Sequence, residues 1–165
     1  MKRILVSVVR MKLRLINGDK LSMTQGDKFE LRWTNANKMK LLSINEDRMK
    51  LRLINTDKFK LYLMNGDKMK LNLTHGDKFE LRWTNADKMK LLLINEDRMK
   101  LRLINTDKFK LYLINGDKMK LSLTHGDKSQ LRWTNADKMK LLLINEDRMK
   151  PRLINTDKFK LHLIN

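Results

Sequence analysis

Basic residues alternate with apolar ones along most of this chain, and their spacing is the first chemistry it offers. Counting each ten-residue unit from its aspartate, Lys or Arg recurs at places two and four. These are Lys58 and Lys60, Lys68 and Lys70, Lys88 and Lys90, Arg98 and Lys100, Lys108 and Lys110, and Lys118 and Lys120, with Arg52 and Arg102 at place six. Most acids stand elsewhere, at the aspartate of place one, so a strand face carrying these cations is poorly neutralised. Such a grid could track phosphate or an anionic polysaccharide, with counterion release driving association. The plainer reading is a solvated face whose lysines guard strand edges. Tyr62 and Tyr112 lie on the same face and are the stacking candidates. Trp33, Trp83 and Trp133 fall at place seven, among the apolar positions, and read as core.

Other chemistry is harder to build. The place-one aspartates, with Asn65 and Asn115, could line an edge with oxygens, but each Asp from Asp47 onward is followed by Lys or Arg. Calcium asks for six to eight oxygen ligands, so turn chemistry explains these residues better and no metal is expected. His75 and His125 stand where other units carry Asn, and neither has a repeated carboxylate partner. A catalytic constellation is asymmetric, whereas nearly every residue here has an equivalent fifty positions away. There is no phosphate-binding glycine loop, nucleophile elbow, zinc spacing or nucleic-acid motif. The expectation is a protein that is not an enzyme and carries no cofactor. Asn72-Leu73-Thr74 matches a glycosylation sequon that Ser122 breaks in the next copy.

The elements that must position the cations are set by repetition. Aspartate recurs every ten residues from Asp47 to Asp157, and five variants of the unit make a period of fifty: 27–76, 77–126 and a partial copy at 127–165. The array is read as a single domain over 19–165, after one or two lead-in strands in 1–18. Its first unit, Asp19 to Gly26, lacks two residues. In the last copy Phe79 becomes Ser129, Glu80 becomes Gln130, Leu101 becomes Pro151 and Tyr112 becomes His162, which reads either as units that tolerate apolar loss or as a less constrained last copy.

Within a unit, apolar residues occupy places three, five and seven, as in Phe59, Leu61 and Leu63, with Lys58, Lys60 and Tyr62 between them. That alternation is a strand pattern. A helix would rotate its apolar stripe by about 80° per unit and smear it around the cylinder. Lys, Met, Leu and Glu do favour helix, but Asn, Asp, Gly and Thr punctuate every unit. A two-residue Asn-Gly turn would put successive units on opposite faces, so a three-residue loop, N-x-D, is required. In that register Tyr62 faces Lys70, a cation–π contact.

The fold expected is all-β: an antiparallel meander of fifteen or sixteen short strands, curled, folded over or paired on its apolar face. A β-solenoid is the alternative, disfavoured because it stacks lysine on lysine. A membrane barrel has the same alternation, but its strands need about ten residues, and no transmembrane segment is expected. With 41% apolar residues the 165-residue chain can bury a core, and its formal net charge of +18 directs it to polyanions or anionic surfaces. It has no cysteine, which removes disulfides and thiol chemistry and leaves the compartment open. The apolar run Ile4–Val9 is too short for a signal core. The functional expectation is a non-enzymatic scaffold for nucleic acid, a polyanionic glycan or an anionic surface. The alternative is a self-assembling, filament-forming structural protein joined through apolar faces or strand edges.

Overall fold

The computed structural model describes the backbone of residues 2–5, 8–16, 20–23 and 26–164, and the side chains of Lys12, Arg14 and residues 27–164. All of these residues are in strands, so the chain is all-β. In chain order they are β1 (Lys2–Leu5), β2 (Val8–Ile16), β3 (Lys20–Met23) and β4 (Gly26–Ile164). No helix among them is long and apolar enough to cross a membrane.

β4 is not one straight strand. Every tenth residue from Asn35 to Asn155 has φ between 51° and 59°, the left-handed region that asparagine tolerates better than most residues. Each of these residues re-aims the backbone. Glycine is not used for this purpose, because no glycine among the described residues has positive φ.

The left-handed residue also resets the alternation. Places three, five and seven are buried, as in Phe59, Leu61 and Leu63, while Lys58 and Lys60 between them are exposed. Place ten, the middle of N-x-D, then turns inward rather than into solvent: Ala36, Glu46, Thr56, Ala86, Glu96, Thr106 and Ala136 are all buried there. Places one and two both face out, so place three of the next unit is again inside. The parity requirement is thus met by a corner with a buried apex, not by a solvated hairpin loop.

The pairing differs from the antiparallel expectation. β1 with β3, β2 with β4 and β3 with β4 are all parallel. Lys20 pairs with Lys40, twenty residues on, whereas Lys2 pairs with Lys20 and Met11 with Phe29 at an offset of eighteen. The short first unit accounts for the smaller offset. Losing an even number of residues preserves the strand's facing, so Leu13 still pairs with Leu31. Side-chain hydrogen bonds continue the twenty-residue spacing from Asn35 to Asn155.

Units twenty residues apart therefore lie over one another, which sorts the decads of β4 into two stacks. The first stack begins its units at Asp27, Asp47, Asp67 and onward; the second begins at Asn37, Asp57, Asp77 and onward. Both turn places three, five and seven into one core. Phe59 stacks on Phe79 with ring centroids 5.4 Å apart, and Trp33, Trp83 and Trp133 are buried. Each fully buried leucine contributes about 1.5–3 kcal/mol, and the repeat multiplies that term.

Candidate anion-binding face

Because the two stacks share one core, their places two, four and six point away from each other. Every cation anticipated from the spacing, from Lys58 to Lys120 with Arg52 and Arg102, is exposed. The second stack brings Lys60, Lys100 and Lys120 into one row at place four, with Lys58, Arg98 and Lys118 in a parallel row at place two. The first stack does the same with Lys70, Lys90 and Lys110 beside Lys68, Lys88 and Lys108. Lysine does stack on lysine. The exposure that makes such a row tolerable is visible at Lys60, whose side chain is 55% exposed even while paired with Glu80; water and salt screen exposed charges.

Acids interrupt the place-four rows only at Glu30, in the first stack, and Glu80, in the second. Glu80 lies 3.2 Å from Lys60 and 3.1 Å from Arg82. Partial burial pulls its carboxyl up, but these two cations outweigh that and hold it below the usual carboxylate range. Glu30 is placed alike, 3.5 Å from Arg32 and 3.8 Å from Lys12.

The tyrosines are not open platforms. Lys40 and Arg82 each lie 5.6 Å from the Tyr62 ring centroid, so the partner expected from a hairpin register, Lys70, is replaced by cations from the units stacked on either side. Tyr112 is held in the same way between Lys90 at 5.8 Å and Arg132 at 5.7 Å. These cation–π contacts consume the faces a base would need.

Two grooves run along the stacks between places four and six. One, of about 350 Å³, is flanked by Lys100, Lys120 and Lys140 on one side and Arg82 and Arg102 on the other. The other, of about 180 Å³, is flanked by Lys50, Lys70, Arg32 and Arg52. The corners carry a different feature, a ladder of amides. The Asn65 side chain donates to Asn45 at 2.9 Å, and Asn85 and Asn105 continue that ladder at 2.9 and 3.0 Å. His75 and His125 sit on these ladders, each with its Nδ1 facing an asparagine amide at 3.1 and 3.3 Å.

Strand alternation does not reveal the glutamates of place ten, of which Glu46 and Glu96 are buried and Glu146 is half-buried. Burial pushes Glu46 up to about 7 and Glu96 up to about 9, and it raises Glu146, with the flanking aspartates adding to each shift. The signal was in the sequence but needed the twenty-residue step: Glu46 lies between Gly26 and Gly66, and Glu96 between Gly76 and Gly116. Among the described residues no group of three or more His, Cys, Asp or Glu is arranged to hold a metal ion. No protein-family model matches the chain, and no curated protein or solved structure matches it.

Proposed function

We propose that the array is a β-solenoid of twenty-residue rungs, two decads to a rung, acting as a non-enzymatic scaffold that binds an anionic polymer along its outward rows. The reading rests on one observation: Lys100, Arg102 and Lys120 lie exposed in adjoining rungs, and none has an acid within ion-pairing distance among the described residues. Place two is less suited to the task, since its lysines stand beside the aspartates of place one. Counterion release from the bound polymer supplies the driving force, and repetition supplies avidity. Heparin affinity across a salt series tests it. Retention falls linearly in log salt on this reading; retention that is unchanged between low and high salt overturns it.

A further inference from the structure

The two grooves are one site, built twice. Glu30, Arg32, Lys50, Arg52, Lys70 and Asn72 line the smaller groove. Adding fifty to each number arrives at Glu80, Arg82, Lys100, Arg102, Lys120 and Ser122, all of which line the larger one. The super-repeat contains five decads while a rung contains two, so successive copies of any site land on opposite stacks. The first site lies on the first stack and the second on the second stack, facing away from it. Their separation along the axis is two and a half rungs, about 12 Å at roughly 4.8 Å per strand spacing. The third copy begins the site again on the first stack with Gln130, Arg132, Lys150 and Arg152, where the acid is lost.

We infer that the chain cross-links two acidic polysaccharide chains, one held along each face. This rests on the polyanion reading above. Each site has the same plan: an acid paired with its arginine at one end, then cations with no ion-pair partner among the described residues in the next two rungs, then a neutral Asn72 or Ser122. Arg52 and Arg102 present planar guanidinium groups suited to carboxylate or sulfate, and the neutral residue suits a sugar hydroxyl. The flanking rows are two residues apart along a strand, about 7 Å, a width that suits a single thin chain. Bases gain no stacking here, because both tyrosine rings are already flanked by protein cations. An odd number of decads per super-repeat is what makes the sites alternate; four or six would place them all on one face.

The test is bridging, read separately from binding. Full-length protein titrated into heparin gives turbidity that peaks at an intermediate ratio and clears in excess protein. The triple variant Lys100→Gln, Arg102→Gln, Lys120→Gln removes the second-stack site and leaves only sites on the first stack. Its turbidity falls at least tenfold while calorimetry still registers heparin binding. The control Lys78→Gln, Lys138→Gln, Lys158→Gln removes the same charge from place two of the same stack and keeps turbidity within about twofold. Equal loss in both variants, or no loss in the first, overturns the inference. So does oligothymidylate that is bridged as well as heparin at the same salt. Heparin binding by the unaltered chain without turbidity overturns bridging alone; no heparin binding at all overturns the polyanion reading and bridging with it.

Discussion

Glu46, Glu96 and Glu146 occupy one position of the fifty-residue repeat, yet their surroundings differ. Ser43 donates its hydroxyl to Glu46 Oε1 at 2.9 Å, and Ser129 donates to Glu146 Oε2 at 3.1 Å. Neither oxygen of Glu96 has a partner. The serines come from different places, since Ser43 stands where the other copies have Leu93 and Leu143, and Ser129 where they have Phe29 and Phe79. Two departures from the repeat, at unrelated places, thus meet the same need. Glu96, 2% exposed and without a hydroxyl, is pushed up to about 9 against about 7 for Glu46. A protonated carboxyl is how the middle copy tolerates its burial.

The largest expected effect follows from that proton. A carboxyl whose folded value lies above its unfolded one keeps its proton in the native state and releases it on unfolding, so it favours folding at low pH. That contribution is complete below the unfolded value and is lost as pH rises through the window up to the folded value. For Glu96 the window runs from 4.5 to about 9, with a slope of about 1.4 kcal/mol per pH unit. Urea unfolding at pH 6, 7, 8 and 9 reads a stability that falls throughout. Between about 7 and about 9 Glu46 has already ionised, and Glu96→Gln, isosteric and neutral, flattens much of the remaining slope. A variant whose slope there equals that of the unaltered protein breaks the comparison.

Space is the next largest effect. A Cβ at Gly76 would sit 2.5 Å from Glu96 Oε2 and 3.0 Å from the Thr56 carbonyl oxygen. Gly76→Ala therefore overpacks a buried corner and costs about 1–3 kcal/mol. The glycine serves here as a vacancy for the carboxyl of the adjoining rung, since its φ is not positive. The double variant Gly76→Ala, Glu96→Ala removes the occupant along with the clash and recovers part of the loss. A double variant that is merely the sum of its singles separates glycine from glutamate.

A smaller change exchanges the copies. Ser43→Leu makes the first copy like the second, removing the hydroxyl while adding apolar volume that Leu93 shows the site accepts, with Leu93 fully buried. Net stability at pH 5 changes by about 1 kcal/mol or less, but Glu46 moves from about 7 toward the value of about 9 held by Glu96. NMR titration of the glutamate side-chain carbons follows it directly. A Glu46 that stays near 7 shows that Ser43 is not what separates the two copies.

How far these features could be read beforehand depends on what each needed. Leu61 inward and Lys60 outward follow from alternation alone, because side-chain period is a property of the single strand. The partner of each strand does not. Alternation is equally consistent with Phe59 lying against the next decad or against the one after it, and only the pairing at twenty settles that Phe79 is the neighbour. Ser129 shows the cost of comparing along the chain alone. Set against Phe79 it is a loss of apolar area, while beside Glu146 it is a hydrogen-bond donor. Parity makes place ten the middle of an N-x-D loop, and Gly, Ala, Thr and Glu share no hydropathy that would mark it as buried. Their shared feature is the corner they occupy, and the rotation there is set by the left-handed residue before them.

The smallest effect tests the corner ladders. Where the ladder is all asparagine, each amide donates to the carbonyl of the residue twenty before it, as Asn115 does to Asn95 at 2.9 Å. His75 interrupts this: its Nδ1 faces the Asn95 amide at 3.1 Å, and the ring extends no hydrogen bond to Asn55 among the described residues. His75→Asn keeps a residue that tolerates the left-handed backbone, accepts from Asn95 through its carbonyl, and adds a donor toward Asn55. One exposed hydrogen bond stabilises by about 0.5–1 kcal/mol, which raises the melting temperature by about 1–4 °C in a chain of this size. A melting temperature that is unchanged or lower indicates that the imidazole already matches the amide, and that the ladder is a consequence of stacking and not a contributor to it.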